Sequence, residues 1–275
     1  MLFQLLVDAT LTIPLQKRKS IASVPRKLSE TITSIELSDF YNNEYVGFLG
    51  VGTPSQYMTI VFDTGSSDLW IPSSTCGSCG DHNTFDSDKS SSYNDMTGGY
   101  NTGITPFVVT YGSGSVAGQV VLETVVIGDF TLPDVSLGLV IHEDSVIESF
   151  DMDGICGLAF KGLASVTKPT IMETIALTYP NASVSFSIFL SSNPLDQDKV
   201  SSITFGGYDL SLVSDEAEFF YTPVVATGTE FTYWTVSMTG FAIGTSDGEY
   251  TSPSSVSDEY SVCSTSTSIS ISISE

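Results

Sequence analysis

The stretch "IVFDTGSSDLWIP", residues 60–72, decides how this chain reads. A run of apolar residues delivers Asp63 into a turn of small residues, Thr64-Gly65-Ser66, and apolar sequence resumes at Leu69. Taken alone, such an Asp is a strand-to-turn residue that hydrogen-bonds its own turn. The rest of the chain has to decide between that structural role and a chemical one.

Composition narrows the choice. The chain has 275 residues, enough to bury a large core in one or two domains, with 41% hydrophobic and only 15% charged residues. No apolar run approaches the roughly 20 residues that span a bilayer, so membrane insertion is not expected. The opening "MLFQLLV" is too short for a full signal-peptide core. Formal net charge is −23, unevenly placed. The first 27 residues hold Lys17, Arg18, Lys19, Arg26 and Lys27, five of the nine basic residues, with Asp8 their only acid. They carry +4 and the remainder −27. Such a body repels nucleic acid and anionic membranes. It suits work in acid, where carboxylates are protonated and self-repulsion fades.

Cys76 and Cys79 lie in "STCGSCGDHN", a loop-like context followed by His82. Half a zinc site and a small local disulfide are both open on this spacing, but no second ligand pair accompanies it, which favours the disulfide and no metal. A disulfide implies an oxidising compartment. Cys156 sits in an apolar segment and reads as a buried free thiol.

The organisation is overwhelmingly β. "YVGFLGVG", "QYMTIVF", "FVVTYG", "VAGQVVLETVVIG", "FTLPDVSLGLVI", "SVSFSIFLS", "SSITFGGYDL", "EFFYTPVV" and "FTYWTV" are short runs rich in Val, Ile, Phe, Tyr and Thr, separated by Gly, Ser, Asp and Pro. One segment, "KPTIMETIALTYP", reads as a helix with Ile171, Ile175 and Leu177 toward one face and Pro180 as its stop. Residues 245–275 differ, with 12 Ser and a strict Ser-Ile alternation at the end, and read as a low-complexity tail.

Four features line up in order: "FDTGSSDLW" at 62–70, "YGSGSVAG" at 111–118, "DGICGLAF" at 153–160, and "FGGYD" at 205–209 with "YWTVSMTGFAIG" at 233–244. Over roughly residues 37–244 the chain resembles a pepsin-type (A1 family) aspartic protease. The resemblance implies an all-β, bilobal acid-protease fold. Its expected parts are a propeptide-like basic segment (1–35), a complete N-terminal lobe with the catalytic Asp and flap (36–190), a partial C-terminal lobe (191–244), and the tail (245–275). It implies an aspartic endopeptidase that hydrolyses peptide bonds at acid pH with carboxylate-activated water and no cofactor, acting on polypeptides as a monomer.

The chemistry fits those residue types. Two carboxylates one water apart cannot both ionise readily, so the pair holds one proton. The ionised member takes a proton from the attacking water and the other protonates the scissile carbonyl. Asp63 would be one of them, in a turn where Thr64, Gly65 and Ser66 offer small side chains and donors. The resemblance implies that Ser66 hydrogen-bonds Asp63 and that Ile155-Cys156-Gly157 packs behind the turn, with Gly157 allowing close backbone approach. "YGSGSVAG" resembles the family's flap, a glycine-rich hairpin closing over an extended peptide. Tyr111, steadied by Trp70, would cover one end of the site, and Gly112 and Ser113 would offer backbone groups. A phosphate-binding loop is disfavoured, because no Lys follows and no strand–loop–helix pattern surrounds the motif. The basic prefix resembles a zymogen propeptide, held on the acidic body near neutral pH and released in acid.

The sequence departs from the family at one place. A second Asp-Thr/Ser-Gly is expected beyond "YWTVSMTGFAIG", yet D-T-G occurs once and D-S-G nowhere, and Asp247 and Asp258 lie in neither motif. The reading is a truncated protease. The alternatives are a non-catalytic peptide-binding relative and a two-chain enzyme with one D-T-G from each chain. Charge, cysteines and the acceptor-like "NAS" at 181–183 point to the secretory route, extracellular or in a lysosome- or vacuole-like acidic compartment.

Overall fold

The computed structural model describes residues 32–40, 44–96, 104–165, 169–191, 201–209, 211, 222–236, 243–244 and 250–251. The expected propeptide-like segment, apart from its last four residues, lies outside this set, as does most of the Ser-rich tail.

Among the described residues the chain is mostly strand. β1 (Thr33–Glu36), β2 (Ser38–Phe40), β3 (Glu44–Val51), β4 (Gln56–Asp63) and β5 (Leu69–Pro72) precede a long loop. β6 (Pro106–Tyr111), β7 (Gly114–Ile127), β8 (Phe130–Glu143) and β9 (Gly154–Gly157) follow, then α1 (Ile171–Thr178), β10 (Phe186–Phe189), β11 (Ser202–Phe205), β12 (Ile243–Gly244) and β13 (Tyr250–Thr251). Eight strands form one sheet in the order β2-β3-β4-β9-β5-β8-β7-β6, and a further β3–β7 pairing curls it back on itself. β1, β11 and β10 form a separate antiparallel sheet. This smaller sheet therefore joins residues on both sides of the lobe boundary drawn at 190.

The large sheet is coated on both faces, which is why its central strands read as unbroken apolar runs rather than alternating ones. All four residues of β5 and of β9 are buried. The pleat sends neighbours to opposite sides. Leu69, Ile71, Leu139 and Cys156 face the larger hydrophobic cluster, with Leu49, Ile60, Val125 and Leu137. Trp70, Val140 and Ile155 face a smaller one, with Phe107, Val120 and Ile147. The candidate site lies on the second side.

The helix has a sequence-encoded start. The Thr170 side chain accepts from the Glu173 amide, and the Glu173 side chain accepts from the Thr170 amide. Ile171, Thr174 and Ile175 face the core. Leu177 does not, and is 73% exposed. Six residues at about 100° each carry it well away from Ile171, so the helical face expected from sequence was drawn one residue too wide. "FTYWTV" also differs from expectation. Residues 222–236 hold only the isolated bridges Val224↔Val236 and Thr227↔Glu230 and no extended strand. Their aromatic side chains dock instead on the segment that follows β9. Phe160 stacks with Trp234 at 4.4 Å and Phe231 at 5.5 Å, and the Trp234 indole N–H donates to the Leu158 carbonyl at 3.1 Å.

Candidate active site

Asp63 is the last residue of β4, and hydrogen bonding to β9 fixes where its side chain emerges. The pairing is parallel, with Phe62 opposite Cys156 and Asp63 opposite Gly157. β5 pairs with the other edge of β9, antiparallel, with Leu69 opposite Cys156 and Trp70 opposite Ile155. The Asp-Thr-Gly turn therefore straddles the end of β9. Three backbone bonds fasten it there: Leu158 N–H to the Asp63 carbonyl (2.7 Å), Gly157 N–H to Asp68 (2.9 Å) and Ala159 N–H to Ser66 (2.8 Å). A Cβ on Gly157 would lie 2.5 Å from the Ser67 backbone nitrogen and Cα, and 2.6 Å from the Asp68 nitrogen. Backbone cannot yield as a side chain can, so glycine alone fits under the turn.

Within the turn the Gly65 N–H donates to Asp63 Oδ1 at 2.8 Å. Thr64 follows Asp63 in the same turn. The Ser66 hydroxyl is buried and near both the Asp63 carboxylate and the Tyr111 hydroxyl, though it makes no well-aligned hydrogen bond. Burial pushes the Asp63 carboxyl above its ordinary value, and the Ser66 hydroxyl and Gly65 amide pull it partway back. Asp63 is thus placed to hold a proton in moderate acid, or to share one.

The "YGSGS" hairpin lies over the same face. β6 and β7 pair from Pro106↔Gln119 to Tyr111↔Gly114, leaving Gly112 and Ser113 as a two-residue tip. Space is open where a Gly112 Cβ would point. Gly114 has φ +150, a left-handed backbone that other residues resist. Tyr111 reaches back from the hairpin, and its hydroxyl accepts from the indole N–H of fully buried Trp70 at 2.8 Å. Burial first, then the charges of Asp63 and Asp68, push the Tyr111 hydroxyl well above its ordinary value. Tyr111 therefore keeps its proton through acid and neutral pH.

Cys76 and Cys79 are joined in a disulfide, which removes both thiolates as metal ligands. Cys156 is buried and free, its thiol pushed up to about 12 by burial and by the Asp63 charge. It packs behind the turn as an inert apolar group.

Several polar groups that hold this region together were not singled out from sequence. Asp144 Oδ2 accepts from the Ser115 amide (2.8 Å) and hydroxyl (2.7 Å) at the base of the "YGSGS" turn, where the hairpin strands meet their tip. Buried Asp68 accepts from the Ser165 amide at 2.8 Å. Asp153 accepts from the Thr59 amide (2.6 Å) and the Asn83 amide (2.7 Å), tying β4 to the disulfide loop. No periodicity or motif marks them, because their partners are distant in sequence.

The sequence that builds this turn and hairpin has counterparts among known proteins. The family described as eukaryotic aspartyl protease matches residues 44–271. The chain belongs to that family. The match runs past residue 244 into the Ser-rich tail, further than the four motifs alone reach. Cathepsin D of Dictyostelium discoideum is 34% identical over 248 residues, covering 85% of this chain and 61% of that protein. Pepsin A of Bos taurus is 33% identical over 234 residues (81% and 58%), and pepsin A of Canis lupus familiaris 35% over 220 (77% and 53%). The chain thus spans a little more than half the length of these protease relatives. Its all-β architecture, with one short α-helix among the described residues, agrees with the family. Among the described residues no helix is long and apolar enough to cross a membrane.

Proposed function

We propose that this chain carries one half of the catalytic machinery of an aspartic endopeptidase that hydrolyses peptide bonds in polypeptides at acid pH. The observation that carries the reading is the placement of Asp63. It is a partly buried carboxyl with a raised pKa, held by the Gly65 amide, beside a Ser66 hydroxyl, and facing a hairpin fastened through Tyr111 and Trp70.

In this reading Asp63 and a second carboxylate hold one water between them. The ionised member removes a proton from that water as its oxygen attacks the scissile carbonyl carbon. The protonated member gives its proton to the carbonyl oxygen, and the tetrahedral intermediate collapses with proton transfer to the leaving amine. Gly112 and Ser113 hydrogen-bond the extended substrate backbone, and Tyr111 closes the site against water. Thr64, Ser66, Trp70 and Gly157 hold Asp63 and the hairpin in register. Asp63 is the only aspartate in a D-T-G motif in these 275 residues.

The lobe boundary falls near residue 190, the basic prefix acts as an acid-released propeptide, and the working unit is a monomer with no cofactor. The Cys76–Cys79 disulfide supports passage through the secretory route to an extracellular or lysosome- or vacuole-like acidic site.

The test is acid-pH cleavage of an unfolded protein by the natural polypeptide that contains these residues, against its Asp63→Ala variant. Loss of 10²-fold or more in rate is expected. Equal rates overturn the assignment, and peptide binding without cleavage in the unmutated protein favours a non-catalytic peptide-binding role.

A further inference from the structure

His82 lies outside the candidate active site, in surroundings that favour its charged form. It follows the Cys76–Cys79 loop, and its side chain is 6% exposed. Nδ1 is 3.0 Å from Glu143 Oε2, and Nε2 is 3.0 Å from the Phe150 carbonyl oxygen. Both neighbours are acceptors. A neutral imidazole has one N–H to offer them, whereas an imidazolium offers one to each; the Nδ1–Glu143 contact is a close charge pair rather than an aligned hydrogen bond.

The groups facing the ring from each packed element agree. Glu143, whose side chain is fully buried, comes from the end of β8. Asp153 precedes β9. Asp81 belongs to the histidine's own loop, and Glu148 and Asp151 line the same open pocket, of about 430 Å³. Among the described residues no Lys or Arg lines that pocket. The Glu143 oxygens have no aligned hydrogen-bond donor, and the His82 ring is the cationic group beside them among the described residues. Glu143 most of all, with the Phe150 carbonyl and Asp153, raises the His82 pKa, and burial pulls it partway back.

The location gives the pair a consequence. Glu143 ends β8 directly opposite Val116 of β7, at the base of the "YGSGS" hairpin. Its amide donates a long 3.3 Å bond to Ser78 Oγ, and Ser78 lies within the disulfide loop. The next residue, Asp144, holds Ser115 through its carboxylate, and its own amide donates to the Ser115 carbonyl at 3.0 Å. The chain's second histidine, His142, meets the Ser78 hydroxyl at 2.7 Å and lies 3.8 Å from Asp144. Both histidines of the protein thus sit where the disulfide loop meets the hairpin base.

We propose that His82 is an acid-engaged latch: as an imidazolium it clamps the disulfide loop to the end of β8 and steadies the base of the hairpin, and on deprotonation the clamp releases. A neutral ring leaves either Glu143 or the Phe150 carbonyl facing an acceptor, and Glu143 becomes a buried charge without a counterion. The latch is independent of peptide hydrolysis, so its test stands whether or not the protease reading holds.

The test begins with ring-proton NMR titration of the full chain. His82 is expected to titrate with a midpoint above 6.5. Amide exchange at Ser115 and Asp144, corrected for intrinsic rates, should quicken as pH rises through that midpoint. His82→Gln should show fast exchange on both sides of it. Should that variant not fold, Glu143→Gln serves, and should lower the proton affinity of His82 at least tenfold. A midpoint at or below 6.5, exchange that ignores the state of His82, or an unchanged affinity in Glu143→Gln would each overturn the latch.

Discussion

The indole N–H of Trp70 donates to the Tyr111 hydroxyl at 2.8 Å, and this bond ties β5, just past the Asp-Thr-Gly turn, to the last residue of β6 at the hairpin tip. Trp70 is fully buried, so its N–H has no water to fall back on. Replacing Tyr111 by Phe leaves that donor unpaired and should cost about 1–3 kcal/mol. Replacing Trp70 by Phe also opens a void in the smaller cluster and should cost about 2–3 kcal/mol. Urea unfolding of both single variants and the double variant isolates the pair. A coupling of about 1 kcal/mol is expected, and a coupling of zero means the bond adds nothing to the fold.

Gly157 and Gly112 make a paired test of glycine under the turn and glycine at the hairpin tip. A Cβ at 157 meets Ser67 backbone at 2.5 Å, while one at 112 meets nothing within 4 Å. Gly157→Ala has to lift the turn that carries Asp63, or to move β9. It should destabilise by more than about 2 kcal/mol. Gly112→Ala should stay within about 0.5 kcal/mol of the parent. Similar midpoints for the two variants would mean that the turn does not rest on β9 as closely as its backbone bonds suggest.

The raised pKa of Asp63 predicts a pH-dependent gain when its charge is removed. Burial is the main cause, so the folded state binds this proton more tightly than the unfolded chain, whose reference value is 3.8. Folded stability therefore falls as pH rises through 3.8 toward the folded pKa, and stays reduced above it. Asp63→Asn removes that loss. The variant should match the parent at pH 3 and below, and be the more stable of the two at pH 6. Thermal midpoints across this range check it, and a variant less stable at pH 6 would show that the carboxylate's hydrogen bonds outweigh its burial.

How much of this was legible in the sequence depended on how local the cause is. The strands that flank the turn were readable from β-branched runs broken by Gly, Ser and Asp. The helix was readable from the spacing of Ile171 and Ile175 and from Pro180 as its stop, while the Thr170–Glu173 capping box that starts it was not singled out. The short disulfide was readable because its loop closes over three positions. β1 was not seen: "TSIE" is unremarkable until it pairs with Ser202–Phe205, far along the chain. The His82–Glu143 pair and the Asp144–Ser115 clamp were hidden for the same reason, since nothing near either partner marks the other. The "FTYWTV" run misled because β propensity reports a fit to a half-buried surface. Trp234 found that surface on Phe160 without joining a ladder.

The last prediction concerns the isolated 275-residue polypeptide. Assayed alone at acid pH on an unfolded protein, it should hydrolyse peptide bonds at least 10²-fold more slowly than a protease with both carboxylates. The fold is not the cause, since the turn, the hairpin and the Trp70–Tyr111 bond are all in place. The cause is that a lone carboxyl cannot act as acid and base toward the same water and carbonyl. Asp68, the next acid along, is held by the Ser165 amide beneath the turn and accepts the Gly157 N–H at its own carbonyl, so it is committed to structure. The informative comparison is with Asp63→Ala at several protein concentrations. Cleavage that is strong, lost in the variant, and rising more than linearly with concentration would show a second chain supplying the second carboxylate. That result would replace the monomer with a paired enzyme.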